Sequence, residues 1–175
     1  MNLDPSRNHK LLQHRLQSSD LLNINHTKNN SNYWEENYSG KGVFPPKGSG
    51  LIEKDLLQER WNNLISAIYA TGQITKRSIE MQELEGEFYF GGKNLIQIEV
   101  GSLKYKTLMN GWLNHLYLSA NSSFNYKTLI ISKKTDYRKQ IQFEVSKEIL
   151  PINTKEATKF LRQINLPYLL KNLAQ

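Results

Sequence analysis

Apolar residues recur at helical spacing between residues 51 and 69, which is the clearest periodic segment of the chain. The positions are Leu51, Ile52, Leu56, Leu57, Trp61, Leu64, Ile65, Ile68 and Tyr69. Steps of three to five residues place them in one continuous stripe, so the pattern predicts an amphipathic helix over 51–69. Gly72 is suited to cap its C-terminal end. We assign the stripe to a hydrophobic core and attach no function to it.

A β-hairpin is predicted over 84–101. Aromatic residues precede a turn signal and branched residues follow it, which is typical of two short strands. The strands are Phe88–Phe90 and Leu95–Val100, on either side of Gly91–Asn94.

Two more helices are predicted beyond this hairpin. The first covers about 105–119, since Leu108, Trp112 and Leu116 fall on one face. The second begins where Asn153 is followed three residues later by Glu156, which is the spacing of a capping box.

A second hairpin lies between these two helices. Its strands are predicted at Lys127–Ser132 and Arg138–Val145, with residues 133–137 turning between them. The predicted order is therefore helix, hairpin, helix, hairpin, helix. That order favours an α+β fold, a mixed α/β arrangement in which helices flank an antiparallel-rich sheet.

The first 50 residues have a different character. They are rich in Asn, Ser and His, and the stretch 25–32 has no apolar periodicity. A short helix could form over Lys10–Leu22, and residues 39–50 are a turn-rich connector. We expect 1–50 to be a poorly ordered N-terminal arm or linker and 51–175 to be the folded domain.

Length and composition limit the classes of protein to which this chain can belong. The 175 residues are enough for one domain, and 10% aromatic residues argue against a wholly disordered chain. The absence of cysteine excludes a disulfide framework, a thiolate metal site and a cysteine nucleophile. The sequence has neither the roughly 18-residue apolar run of a membrane span nor the apolar stretch of a signal peptide. We expect a soluble cytoplasmic protein with no membrane partner.

The net charge of +7 is concentrated in one window. Residues 93–139 contain eight basic and two acidic residues, a net charge of +6. A clustered basic surface favours a polyanion, because phosphates release their counterions when they are neutralised. A solvated lysine surface is the alternative. The candidate DNA-binding residues are Lys104, Lys106, Lys133, Lys134, Arg138 and Lys139.

The sequence lacks the motifs of an ATP-hydrolysing P-loop and of a catalytic zinc site. No G-x-x-x-x-G-K-[ST] is present, so an ATP-hydrolysing P-loop is excluded. The four histidines show no zinc-ligand spacing, and we interpret His115 as a packed histidine. We expect no cofactor and no metal.

A metal-dependent nuclease would need two acids at strand ends and a lysine two residues after the second acid. Glu99 is the acid on the second strand, but Gly101 occupies the lysine position and Lys104 comes later. Glu87 is a possible first acid without an evident partner. The pattern predicts the scaffold of such an enzyme without its catalytic set.

Several stretches, in this order and spacing, resemble the C-terminal region of RecC, the gamma subunit of bacterial exodeoxyribonuclease V. They are Phe44–Gly50 before an acidic helix, Leu84–Phe88, Ser102–Lys104, Gly111–Leu116, Ala120–Asn121 and Thr154–Ile164. The resemblance covers about Leu12 to Ile164.

This resemblance implies a degenerate restriction-endonuclease-like fold that has lost its catalytic residues. It implies a role in double-strand-break repair by homologous recombination, with contacts to duplex DNA near the point of strand separation. It also implies helicase and nuclease partner subunits in a heterotrimer. Since the family's chains are several times longer, the sequence is expected to be a split-gene subunit, a fragment or the product of a decayed gene.

Two other functions remain open from the residues alone. One is a working Mg²⁺ nuclease that uses Glu87 and Glu99. The other is a stand-alone nucleic-acid-binding domain, in which aromatic residues among the lysines stack on single-stranded bases. The aromatic candidates are Tyr105, Phe124, Tyr126 and Tyr137.

Overall fold

The computed structural model describes residues 5–19, 21–22, 48–81, 84–122, 124–135 and 141–164. The described residues form a mixed α+β fold with four helices and a five-stranded sheet. The helices are α1 (Pro5–Ser18), α2 (Gly48–Tyr69), α3 (Tyr105–Asn121) and α4 (Thr154–Gln163). The strands are β1 (Ile74–Met81), β2 (Leu84–Gly91), β3 (Asn94–Ile98), β4 (Thr128–Thr135) and β5 (Ile141–Ile149). The α+β class predicted from the sequence is confirmed.

The five strands lie in the order β1-β2-β3-β4-β5. The first three form an antiparallel meander, with Arg77 opposite Phe88 and Tyr89 opposite Ile96. β3 and β4 are parallel, because α3 crosses over between them and returns the chain to the same end of the sheet. The meander followed by a β-α-β crossover makes the sheet mixed rather than uniformly antiparallel.

The predicted arrangement of elements needs correction at three places. The sequence interpretation omitted β1, whose residues are mostly polar. The predicted helix at Lys10–Leu22 is found at Pro5–Ser18, within the segment expected to be an arm. Lys133 and Lys134 were expected in a turn and instead belong to β4. Arg138 and Lys139 lie outside the described residues.

The chain divides into two compact units, residues 1–66 with 135–142 and residues 67–134 with 143–175. In the first unit, Leu11 and Leu12 of α1 are buried. The Arg15 guanidinium lies 4.3 Å from the centre of the Trp61 ring and donates a hydrogen bond to Gln58. These contacts join α1 to α2. The proposed domain boundary at residue 50 stays a prediction.

The stripe of α2 is shorter than its sequence suggested. Leu57, Trp61, Leu64 and Ile68 are buried, while Leu51 and Ile52 are exposed. The helix ends at Tyr69, and the amide of Gly72, whose φ is +120°, donates to the Tyr69 carbonyl at 3.1 Å. Glycine is suited to that conformation because it has no Cβ.

The core of the second unit lies between the sheet and α3. Phe90 and Leu95 pack with Tyr117 and Leu118, and Ile130 is fully buried. Residues from two sides of α3 are buried because the helix packs on the sheet with one side and on α4 with another. The sheet and these two helices therefore form one hydrophobic core.

Trp112 lies at the contact between α3 and α4. Its ring meets that of Phe160 edge to face, with the two centres 6.1 Å apart. Trp112 is half-buried and Ala157 of α4 is fully buried. The sequence pattern placed Trp112 in the core, and the structure places it at the border of the helix pair.

Candidate nucleic-acid interface

The loop that joins β3 to α3 contains the acid a nuclease would use. The Glu99 carboxylate accepts hydrogen bonds from the Thr107 hydroxyl at 2.6 Å and from the Gly101 amide at 3.1 Å. The Lys104 ammonium lies 3.6 Å from the same carboxylate. The Glu99 side chain is 12% exposed, and these hydrogen bonds take two of the roughly four acceptor positions of its carboxylate. The arrangement ties the loop to the first turn of α3.

Glu87 cannot complete a metal site with Glu99. Side chains alternate across a strand, so Glu87 shares the sheet face of Tyr89 and Ile96. Glu99 continues the opposite face, that of Leu95, where it meets Thr107 of α3. Glu87 is instead paired with Lys76 of β1 at 2.6 Å. Within the described ranges, no group of three or more potential metal ligands is found.

Three exposed side chains stand at the beginning of α3. Lys104 is its N-cap residue, and Tyr105 and Lys106 follow it. Tyr105 is 75% exposed. The partial positive charge at a helix N-terminus adds to the two ammonium groups, so this end of α3 attracts anions. Of the predicted DNA-binding residues, Lys104 and Lys106 are thus brought together.

Lys133 lies near the same loop. Its amide donates to the Gly101 carbonyl at 2.9 Å, which extends the parallel pairing of β4 beyond the end of β3. Lys134 pairs with Glu144 of β5 at 2.9 Å. The expectation that these lysines form a hairpin tip with no acid except Asp136 is therefore wrong, because both lie in β4 and Glu144 is paired with Lys134.

Two of the candidate stacking residues have different surroundings. The Phe124 ring meets Phe90, His115 and Tyr126 edge to face, with ring centres 5.5–6.3 Å apart. Phe124 is therefore a packing residue. Tyr126 is exposed, and the Lys93 ammonium lies 5.5 Å from its ring centre. Tyr137 lies outside the described residues.

His115 is the buried titratable group of this region. Its Nδ1 lies 2.9 Å from the Thr128 hydroxyl, which links α3 to the first residue of β4. Burial lowers the pKa of His115, and the Leu150 main chain acts in the opposite direction with a smaller effect. The interpretation of His115 as a packed histidine is confirmed by its 1% exposure.

A basic helix face was missed by the sequence interpretation. Lys155, Lys159 and Arg162 of α4 are all exposed, and they are spaced so that they lie on one side of the helix. The signal was present in the sequence as an i, i+4, i+7 series. It lies outside the 93–139 window on which the charge argument concentrated.

Comparison with known families decides the relationship. The model of the family described as the RecC C-terminal domain matches residues 2–168. The chain belongs to that family. A comparison of the chain with curated proteins found no match. The match confirms the resemblance to the RecC C-terminal region and connects the chain with exodeoxyribonuclease V and DNA repair. None of the helices in the described part of the chain is long and apolar enough to cross a membrane.

Proposed function

We propose that this RecC C-terminal domain is a non-catalytic module that contacts DNA and partner subunits of an exodeoxyribonuclease V complex. In this proposal the complex acts in double-strand-break repair by homologous recombination. The absence of catalysis is proposed because the Glu99 carboxylate is engaged in structural contacts. This carboxylate is bound by Thr107, Gly101 and Lys104, and Glu87 lies on the opposite face of the sheet.

The sheet order supports a degenerate restriction-endonuclease-like fold. An antiparallel meander leads into a strand, a crossover helix and a parallel strand, so the end of β3 lies beside the start of α3. Metal-dependent nucleases use acids at strand ends for their ions. Glu99 occupies that position here, while Gly101 replaces the lysine that would assist the chemistry. The scaffold then serves for binding instead of cleavage.

Contact with DNA is supported by the lysines around this loop. Lys104 and Lys106 are exposed at the start of α3, where the helix dipole also favours phosphate. Lys133 lies on the adjacent strand, and the proposal retains Lys134, Arg138 and Lys139 as the remaining contacts. Such contacts position a protein on the backbone without reading bases, so we expect no sequence preference.

A salt titration of DNA binding tests this proposal. Each phosphate contact contributes about 0.9 to the slope of log K against log salt for duplex DNA. The Lys104→Gln, Lys106→Gln double variant should lower that slope by about one to two units, because the Lys104 ammonium is shared with Glu99 at 3.6 Å. Lys76→Gln with Lys127→Gln removes the same charge from lysines already paired with Glu87 and Glu148. An unchanged slope in the first variant would remove the start of α3 from the DNA surface.

A stand-alone binding domain for single-stranded nucleic acid is the second candidate. The exposed Tyr126 beside Lys93, together with Tyr105, favours it, since exposed aromatic rings can stack on bases. Co-purification with the other subunits separates the two functions. A chain that binds single strands and never associates with those subunits would support the second candidate.

A further inference from the structure

Helix α4 is strongly two-sided. Ala157, Leu161 and Ile164 are turned away from solvent, at steps of four and three residues. Lys155, Lys159 and Arg162 each precede one of these residues by two positions. Two positions correspond to about 200° around a helix, so the basic series lies opposite the apolar one. The three cations are therefore presented together on one face.

A cap at the N-terminus of α4 and packing on its inner side set the orientation of this face. Asn153 accepts a hydrogen bond from the Glu156 amide at 2.9 Å, and its own side-chain amide donates to the Glu156 carboxylate at 2.7 Å. On the other side, Ala157 is fully buried and Phe160 contacts Trp112 of α3. Because α4 is anchored in this way, its outer face has little freedom to rotate.

The three cations differ from four basic residues near the sheet that are already paired with an acid. Lys76, Lys104, Lys127 and Lys134 each have a glutamate within 4 Å. Among the described residues, Lys155, Lys159 and Arg162 have no acidic partner within that distance. Glu156, the acid of the same helix, is engaged by Asn153. A phosphate can therefore bind these three cations without displacing an internal carboxylate.

The basic series borders an open depression on the protein surface. A cavity of about 450 Å³ lies along this side of α4. It is lined by Thr154, Lys155, Thr158, Lys159, Arg162 and Gln163. The Thr158 hydroxyl donates to the Thr154 carbonyl, so its oxygen can still accept a hydrogen bond. Hydroxyl and amide groups next to cations are typical of surfaces that contact nucleic-acid backbones.

We infer that the face of α4 formed by Lys155, Lys159 and Arg162 binds the phosphate backbone of duplex DNA, as a second contact beside the start of α3. The inference rests on the proposed function, since it takes DNA as the ligand. A rise of 1.5 Å per residue separates Lys155 from Arg162 by about 10.5 Å along the helix. One DNA strand carries phosphates about 3.4 Å apart along its axis, so this length matches three phosphate steps.

The test compares two double variants and one triple variant of the full chain in salt titrations with a short blunt duplex. Lys155→Gln with Lys159→Gln should lower the slope of log K against log salt by about two units. Adding Arg162→Gln should lower it by about one more. The control is again Lys76→Gln with Lys127→Gln, which should leave the slope unchanged. Gln is as good a helix former as Lys, and the denaturant midpoint verifies that each variant folds.

The outcomes separate this inference from the proposed function. If the α4 variant keeps the parent slope while Lys104→Gln with Lys106→Gln lowers it by about one to two units, α4 is not a DNA surface and the proposed function stands. If the α4 variant keeps the parent slope and loses association with the other subunits, its basic face meets an acidic protein surface, which also overturns the inference. If the parent chain fails to bind DNA at any salt concentration, both proposals fall.

Discussion

Replacement of Glu99 distinguishes a structural carboxylate from a catalytic one. The Glu99→Ala variant leaves the Thr107 hydroxyl and the Gly101 amide without the acceptor that they use at 2.6 Å and 3.1 Å. Thr107 is 8% exposed, so water cannot easily take the place of the carboxylate. We expect the variant to be less stable than the parent, because buried donors that lose their partner destabilise the folded state.

The expected size of the effect follows from these contacts. A hydrogen bond to a charged group contributes about 1.5–3 kcal/mol, and Glu99 accepts two of them in a partly buried loop. The Lys104 pair adds less than about 1 kcal/mol, because the Lys104 side chain is mostly exposed. We therefore expect a loss of about 3 kcal/mol. For a chain of this size, that corresponds to a decrease in Tm of roughly 6–12 °C.

Urea unfolding of the parent and four variants measures this effect. Glu87→Ala is the matched control, since Glu87 is 61% exposed and has a surface ion pair with Lys76, for which we expect less than about 1 kcal/mol. A double-mutant cycle of Glu99→Ala with Thr107→Val should give a coupling energy of about 1–2 kcal/mol. If Glu99→Ala is no less stable than Glu87→Ala, the carboxylate is not held by these donors and the structural assignment is refuted.

Three further predictions concern stability. Burial lowers the pKa of His115 below its unfolded value of about 6.5, so below that pH the unfolded chain binds a proton that the folded chain does not. The free energy of unfolding should therefore decrease as pH falls below about 6.5, and it should decrease less in His115→Asn. Urea titrations at several pH values measure this difference. A Cβ at Gly91 would overlap the Thr71 hydroxyl and lie 2.9 Å from Ile96, so Gly91→Ala should cost ~1–3 kcal/mol or more, and adding Thr71→Gly should recover part of the Tm. Asn153→Ala removes the cap of α4 and should cost about 1 kcal/mol in thermal unfolding; no loss would contradict the capping role.

Elements with strong local signals were predicted from the sequence. The helix 51–69 follows from its apolar spacing, and the first residue of α3, Tyr105, was placed correctly. The Asn153 cap was also predicted and is confirmed, because a capping box depends on residues three positions apart. Such features are local, so no knowledge of distant contacts was required.

Features that depend on distant partners could not be predicted in the same way. β1 is a polar strand at the edge of the sheet, so it lacks the apolar alternation that indicates a strand. The pairing of Lys134 with Glu144 depends on how β5 lies against β4. The separation of Glu87 and Glu99 onto opposite faces depends on the register of β2 against β3. Each of these findings changed the interpretation of the candidate site.

The most direct test of the central claim is a single assay on linear duplex DNA with Mg²⁺ and the purified chain. Fluorescence anisotropy of the labelled duplex reports binding, and a gel of the same samples reports cleavage. A non-catalytic DNA-contacting module should raise the anisotropy in a salt-sensitive manner while the DNA remains intact. Shortened DNA in the parent sample, together with intact DNA in the Glu99→Gln sample, would contradict the account.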